Sequence, residues 1–457
     1  VTPALLGALG ALAIAVTAVA LGPRWAAHTD PAVGVGAIAL AWLAFGLGAL
    51  WVARLPDAVA APLVVIGGLA LLLAAAWGPP RSSDDLYRYI WDGRVQAAGI
   101  DPYRYAPADP HLADLRDDFL WPAHANWCVA ESTVDALAGC SRINRPTVPT
   151  IYPPVAQALF WGVDELAPPD AGYAPVRFLA ITSALGVTVL LMLRSNPRRA
   201  VLWAWCPTVA LEAANNAHID VVAALLTGAA LLLLARAGPR TRGLAGGVLL
   251  GLAVATKVTP VLVVPAVLRR RPVTVLVAAA GAVAAVYAPH VVAVGARVLG
   301  YLPGYLSEEG YDSGTRFALI SVFAPGIWAV VVALVVLAAV AFTVARTADP
   351  ERPWLGAATM VGSALLVTTP AYPWYALLLV LLVGLGARWW WLAVAAAAYV
   401  GQYHHELGLA PLVADRIGYG VALVVVMTGY WSSVRRRSTT AWDTAAAVDR
   451  LADTVET

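Results

Sequence analysis

Long apolar runs separated by short polar joints make up most of this chain. The first three, at roughly 2–22, 32–53 and 57–78, are long enough to cross a bilayer as helices. Further runs lie at about 175–193, 199–214, 218–235, 243–268, 273–293, 317–345, 354–369, 373–386, 389–403 and 411–432. A long hydrophilic stretch, 79–173, interrupts the series, and a polar tail fills 433–457. The pattern predicts an all-α polytopic membrane protein of about 12–14 transmembrane or re-entrant helices, with a large outer loop carrying interfacial helices. The expected division is a membrane domain over 1–432, with the 79–173 loop inside it, and a soluble, poorly ordered cytoplasmic tail over 433–457. The first run lacks a basic leading region, so it reads as a membrane helix rather than a cleaved signal.

Composition agrees with the pattern. The 457 residues are 60% hydrophobic and only 13% charged, too little polar surface for a soluble protein of this size. The net charge of +2 gives no reason to expect nucleic acid as a partner. The implied partner is the lipid bilayer.

Arginines set the expected orientation. Arg194, Arg198 and Arg199, then Arg236, Arg240 and Arg242, then Arg269 to Arg271, Arg346 with Arg352, and Arg435 to Arg437 should all face the cytoplasm. Arg242 and Arg269 flank one apolar run, yet both belong inside. Lys257, followed by Thr259 and Pro260, sits at the centre of that run, so the chain there should break into a re-entrant pair with Lys257 at its apex. The 79–173 loop, Asn215 to Asp220, Lys257, the 294–316 loop, Tyr372 to Trp374 and His404 to Glu406 then gather on the outer side. Cys128 and Cys140 lie in the outer loop, where disulfides persist, and should be bonded to each other.

The candidate chemistry follows from that gathering. Ser82, Ser83 and Asp84 are suited to capping a helix that runs to about Gly99, amphipathic and expected in the membrane interface. Asp84 fits the cap and Asp85 the exposed carboxylate; the alternative is that both merely cap. Arg88 and Asp92 are spaced to pair at the surface. The block Glu212, Asn215, Asn216, His218 and Asp220 is dense enough for a ligand site, against ordinary loop polarity. Lys257 is the only lysine in the chain. Burying a lysine in an apolar segment costs about 2.5–3.5 kcal/mol, so either it serves function or it snorkels. His404, His405 and Glu406 lack the spacing of a metalloprotease helix and read equally as a helix-end loop. Trp121, Trp127, Tyr103, Tyr105 and Tyr152 offer flat faces for sugar rings or anchors at the interface.

Asp85-Leu-Tyr-Arg-Tyr, Ile151-Tyr-Pro-Pro, the Asn215-Asn-Ala-His-Ile-Asp block, Gly251 to Pro260 and Tyr372-Pro-Trp-Tyr occur in a telling order. In that order the chain resembles the polyprenyl-phosphate-mannose-dependent mannosyltransferases of the GT-C superfamily. These include the actinobacterial enzymes of phosphatidylinositol mannosides and lipomannan and, more distantly, the first GPI mannosyltransferase. The 108–150 insertion with its two cysteines departs from that pattern and leaves the acceptor open. The resemblance implies a GT-C-type bundle in the plasma membrane of a bacterium, with its active site on the extracytoplasmic face. It implies a polyprenyl-phosphate sugar donor, a glycolipid or polysaccharide acceptor, and no metal or cofactor. Asp85 would be the general base, with Asp84 beside it; Lys257, His218 and Arg316 would meet the donor phosphate. Asn215, Asn216, Asp220, Tyr372, Trp374, His404 and His405 would line the sugar and acceptor positions. A flippase for a lipid-linked sugar and a lipid-linked glycan ligase are the competing classes. The flippase should show internal repeats, and no such repeat stands out.

Overall fold

The computed structural model describes residues 2–26, 31–122, 140–168, 170–236 and 238–453, which form helices joined by turns, with no strand. In chain order the first helices are α1 (Thr2–Ala26), α2 (Pro31–Val52) and α3 (Asp57–Ala75). After the turn at 76–84 come α4 (Asp85–Ala97), α5 (Pro154–Leu166), α6 (Ala174–Arg194) and α7 (Pro197–Ala204). A π-helical turn, Val209–Asn215, leads into α8 (Asp220–Ala235), and α9 (Arg240–Val254) follows. The remainder comprises α10 (Val264–Val267), α11 (Pro272–Val294), α12 (Leu302–Glu308), α13 (Ile327–Thr347), α14 (Pro353–Thr368), α15 (Leu377–Leu385), α16 (Leu392–Gln402) and α17 (Pro411–Asp453).

Seven of these helices are long and apolar enough to cross a membrane, or eight if the π turn and α8, bent by 118°, count as one span. The expected number of apolar segments is larger because several break into short pieces. The run at 243–268 does so where the sequence suggests: α9 stops at Val254, Lys257 lies outside any helix, and a tight 3-10 turn takes over at Thr259–Val263. Pro260 has no N–H to continue an α-helix, which explains the switch. Two boundaries differ from expectation. The span predicted from 317 begins only at Ile327, because Gly326, in the left-handed region at φ 63°, ends the preceding turns. The last helix runs on to Asp453 instead of giving way to a tail after 432; its Ala-rich end is a good helix former.

Burial separates an inner group of helices from an outer one. Every residue of α15 is buried, whereas α11 buries only Val275 and α13 only Ala329, Ala333 and Val344. An apolar helix left uncovered on most of its surface suits a lipid-facing position. Gly247 and Gly251 let α11 approach α9 closely: a Cβ at Gly251 would sit 2.4 Å from the Ala279 carbonyl oxygen. The ends of α3, α8, α14 and α16, the break beside Lys257 and the start of α4 meet at one end of the bundle.

Candidate active site

The first turn of α4 sets the position of Asp85. The Asp85 N–H donates to Ser83 Oγ at 3.3 Å, while Asp84, at the N-cap position, makes no capping hydrogen bond with its side chain. Asp84 is exposed and Asp85 is turned inward with its side chain 16% accessible, the reverse of the expected division between cap and exposed carboxylate. The helix does not leave its polar face open to water. Leu86, Tyr87, Arg88, Tyr89, Ile90, Trp91, Asp92 and Val95 are all buried, so α4 is enclosed on its polar face as well. Gly93 permits this, because a Cβ there would come within 2.5 Å of the Phe160 carbonyl oxygen on α5.

Enclosure changes the role of the Arg88–Asp92 pair. Arg88 Nε donates to Asp92 Oδ1 at 2.9 Å with both side chains at or below 5% accessible, so this is a buried pair rather than a surface one. Thr150 Oγ1 and Gln157 Nε2 donate to Asp92 Oδ2 at 2.6 and 2.9 Å, and both Arg88 terminal nitrogens reach the Val148 carbonyl at 3.3 Å. The network ties α4 to the stretch 148–157.

Groups from distant parts of the chain converge on Asp85. Asn144 Nδ2 donates to its Oδ1 at 2.7 Å, and His218 Nδ1 lies 3.6 Å from its Oδ2. The π turn and Ala217, held at φ 53°, carry the chain round so that the His218 ring points back at Asp85 on one side and Glu212 on the other. A non-glycine residue in the left-handed region costs about 1–3 kcal/mol, which the surrounding packing must offset. Lys257 Nζ pairs with Asp220 Oδ2 at 3.0 Å and stands 5.5 Å from the ring centres of both Tyr152 and Tyr375. Burial opposes ionisation of Asp85, but the Lys257 ammonium, hydrogen bonds from Asn144 and Tyr152, and the His218 ring once acid protonates it outweigh that and hold the carboxyl below its usual value.

An aromatic and charged wall continues from His218. Trp374 stacks on the imidazole with centroids 3.9 Å apart, and Tyr372 stacks on Trp374 at 4.8 Å. Tyr372 Oη donates to Glu309 Oε1 at 2.7 Å, and Glu309 Oε2 pairs with Arg316 Nη1 at 3.1 Å. Arg316 Nε and Nη2 are buried without a hydrogen-bond partner among the described residues. Arg145 and Glu308 pair beside this wall, and Tyr305 and Tyr375 share a short hydroxyl contact.

Several residues expected in the sugar site are engaged otherwise. Asn215 Nδ2 donates to the Ala75 carbonyl at 2.9 Å. Asn216 Nδ2 donates to Ser82 Oγ at 2.6 Å, and its Oδ1 accepts from the Arg81 and Ser82 N–H groups. These two buried amides hold the 75–82 turn in front of α4. Asp220 faces Lys257, and His218 faces Asp85 and Glu212. His404 and His405 pack on each other at 4.2 Å, and His404 Nδ1 contacts the Gly401 carbonyl. Their link to the site is indirect: Gln402 Nε2 donates to the Ser82 carbonyl at 3.1 Å. Cys140 is disulfide-bonded, while Cys128 and Trp127 lie outside the described residues.

Asn144 and Glu309 escape a reading of the sequence. Asn144 sits in the 108–150 insertion with no motif around it, and Glu309 shares a polar loop with Glu308 and Asp312. Only the close contacts pick them out.

Residues 150–370 match the model of glycosyltransferase family 87. The match indicates a membrane glycosyltransferase, an enzyme with a sugar donor and an acceptor. It spans Tyr152, His218, Asp220, Lys257, Glu309 and Arg316, and stops short of Tyr372 and Trp374; Asp85 and Asn144 precede it. No curated protein and no solved structure matches the chain.

Proposed function

We propose that the chain is an inverting mannosyltransferase. It moves a mannosyl residue from polyprenyl-phosphate mannose to a glycolipid or polysaccharide acceptor on the extracytoplasmic face of the plasma membrane. The observation that carries this reading is the convergence on Asp85. A partly accessible carboxylate at one end of the bundle is held ionised beside Lys257 and His218, in a chain whose 150–370 region matches a glycosyltransferase family. Mannose, the polyprenyl carrier and the face of the membrane come from the resemblance noted in the sequence.

In the reaction, an acceptor hydroxyl attacks the anomeric carbon of β-mannosyl phosphate from the side opposite the phosphate. Asp85 takes the hydroxyl proton as the new carbon–oxygen bond forms. The old bond to the phosphate oxygen breaks with its electron pair, and the product is α-linked. General-base help of this kind is worth about 10²–10⁴-fold. Negative charge grows on the leaving polyprenyl phosphate, and the cations that can meet it are Lys257 and Arg316. Each already has a carboxylate partner, Asp220 and Glu309, so the phosphate would share or displace that pairing. The stacked Trp374 and Tyr372 rings offer an apolar face of the kind sugar rings pack on.

The test is a membrane assay with labelled polyprenyl-phosphate mannose and a lipid extract as acceptor. Label should move from the donor to a new, more polar lipid or glycan with wild-type protein. It should stay on the donor with Asp85→Asn. Transport of intact donor across vesicles without any transfer would favour the flippase instead.

A further inference from the structure

Glu212 is a buried carboxylate that the transfer reaction as described does not use. It lies in the π turn with no accessible side-chain surface, accepting at Oε1 from Tyr399 Oη and at Oε2 from Asn216 Nδ2, both at 2.9 Å. Its Oε2 also faces His218 Nε2 at 3.7 Å, while His218 Nδ1 faces Asp85 Oδ2 at 3.6 Å. The imidazole is itself fully buried, and neither ring nitrogen has a hydrogen-bond partner among the described residues. Leaving both unmet in a buried place is costly, which makes the arrangement a poor choice for packing alone. The stack on Trp374, inclined by only 21°, fixes the plane of the ring and does not itself oppose a small shift within that plane. A slide towards either carboxylate would bring that contact within ordinary hydrogen-bonding range, about 2.7–3.2 Å.

We propose that Asp85, His218 and Glu212 form a proton relay, with Glu212 as the store for the proton released by the acceptor. The proposal rests on the reading of Asp85 as the base. His218 begins neutral with its proton on Nε2. The acceptor proton passes to Asp85 Oδ2 and on to His218 Nδ1, while the Nε2 proton moves to Glu212 Oε2. The imidazole ends neutral with its proton on Nδ1, Glu212 ends as the neutral acid, and Asp85 is again an anion. After product release the transfers run in reverse and Asp85 gives the proton to water, which restores ionised Glu212 and neutral His218 with its proton on Nε2. The relay keeps negative charge on Asp85 beside the electron-poor anomeric carbon, and it prevents the proton from returning to the nascent glycosidic oxygen. Lys257, Asp220, Tyr89, Tyr152, Tyr399 and Tyr403 are other charged or titratable groups around this line. None of them bridges the two carboxylates as His218 does. Glu212 and His218 are thus positioning residues for the proton and touch neither sugar.

Single-turnover rates of the full chain in mixtures of light and heavy water test this, with labelled polyprenyl-phosphate mannose as donor and a lipid extract as acceptor. With wild type, the rate should depend on the deuterium fraction in a curved manner, the sign of more than one proton in flight. Glu212→Gln should lower the rate tenfold or more, leave donor binding unchanged and make the dependence linear. His218→Gln should do the same, and it serves as the independent variant if Glu212→Gln fails to fold. A wild-type rate in either variant overturns the relay. So does a lower rate with the same dependence as wild type, which would leave Glu212 and His218 as packing groups only. Full activity of Asp85→Asn would sink the base assignment itself, a separate failure.

Discussion

The two ends of α4 carry the same side chain in opposite circumstances. Asp92, in the second half of the helix, is saturated: Arg88, Thr150 and Gln157 all donate to it, and its side chain is 3% accessible. Asp85, in the first turn, has one strong hydrogen bond, from Asn144, and is reachable. A carboxylate whose lone pairs are all engaged cannot take a proton without breaking its network. One with fewer donors, here Asn144 and Tyr152, and the Lys257 charge nearby stays ionised and can still accept a proton. Both depend on the same stretch of chain, since Asn144 and Thr150 lie in the segment that starts at the disulfide-bonded Cys140.

The largest effect should come from breaking the reactive end. Asp85→Asn preserves shape and removes the base, so turnover should drop by at least ~10²-fold while donor binding persists. Steady-state kinetics alongside a donor-binding titration decide it; an active Asp85→Asn with a dead Asp84→Asn would exchange the two roles.

Asp92→Asn attacks the other end and should act on stability. Breaking a buried ion pair by removing one partner costs about 3–5 kcal/mol. The thermal midpoint should fall, yet turnover per folded molecule should hold. A selective loss of turnover at unchanged stability would mean that the two ends are not separate.

Opening the shared segment comes next. Cys140→Ser should destabilise the protein by about 2–4 kcal/mol in the chain-entropy picture. Mass spectrometry of the non-reduced, alkylated protein should identify Cys128 as the partner. Free thiols on both residues in membrane-derived protein would contradict the outer placement of the loop.

Lys257 sharpens the electrostatic part. Lys257→Ala should weaken donor binding about tenfold, roughly 1.4 kcal/mol, and Lys257→Arg should restore only part of it. The rate–pH profile adds a signed test. Activity requires ionised Asp85, whose pKa is held below the usual value, so the acid limb of wild type should lie below the ordinary carboxylate range. Removing the charge with Lys257→Met should move that limb to higher pH. A Met variant with wild-type binding and an unmoved limb would leave Lys257 a snorkelling side chain. The smallest effect is expected at Asp84: exposed and without a capping hydrogen bond from its side chain, its change to asparagine should leave stability within about 0.5 kcal/mol.

The helices themselves were legible in the sequence, because a bilayer demands long apolar runs and every span must satisfy its own backbone. Lys257 could be placed at a break for a similar local reason: a charge and a proline in one apolar run leave few options. Asp85 was likewise singled out by its place at the start of a polar helix. What its surroundings do was decided only by the tertiary structure. Periodicity gave α4 a polar face, but it could not say whether water or Gln157 and Thr150 would cover it. Nor could it tell that Asp85 would turn in and Asp84 out, since adjacent residues on a helix differ by orientation alone. Asn215, Asn216, His218 and Asp220 read as one polar block. A π turn and one left-handed alanine give each a different direction: two amides to the backbone of the 75–82 turn, the imidazole to Asp85 and Glu212, and the carboxylate to Lys257. Direction depends on how distant segments pack, and local spacing carries no record of it.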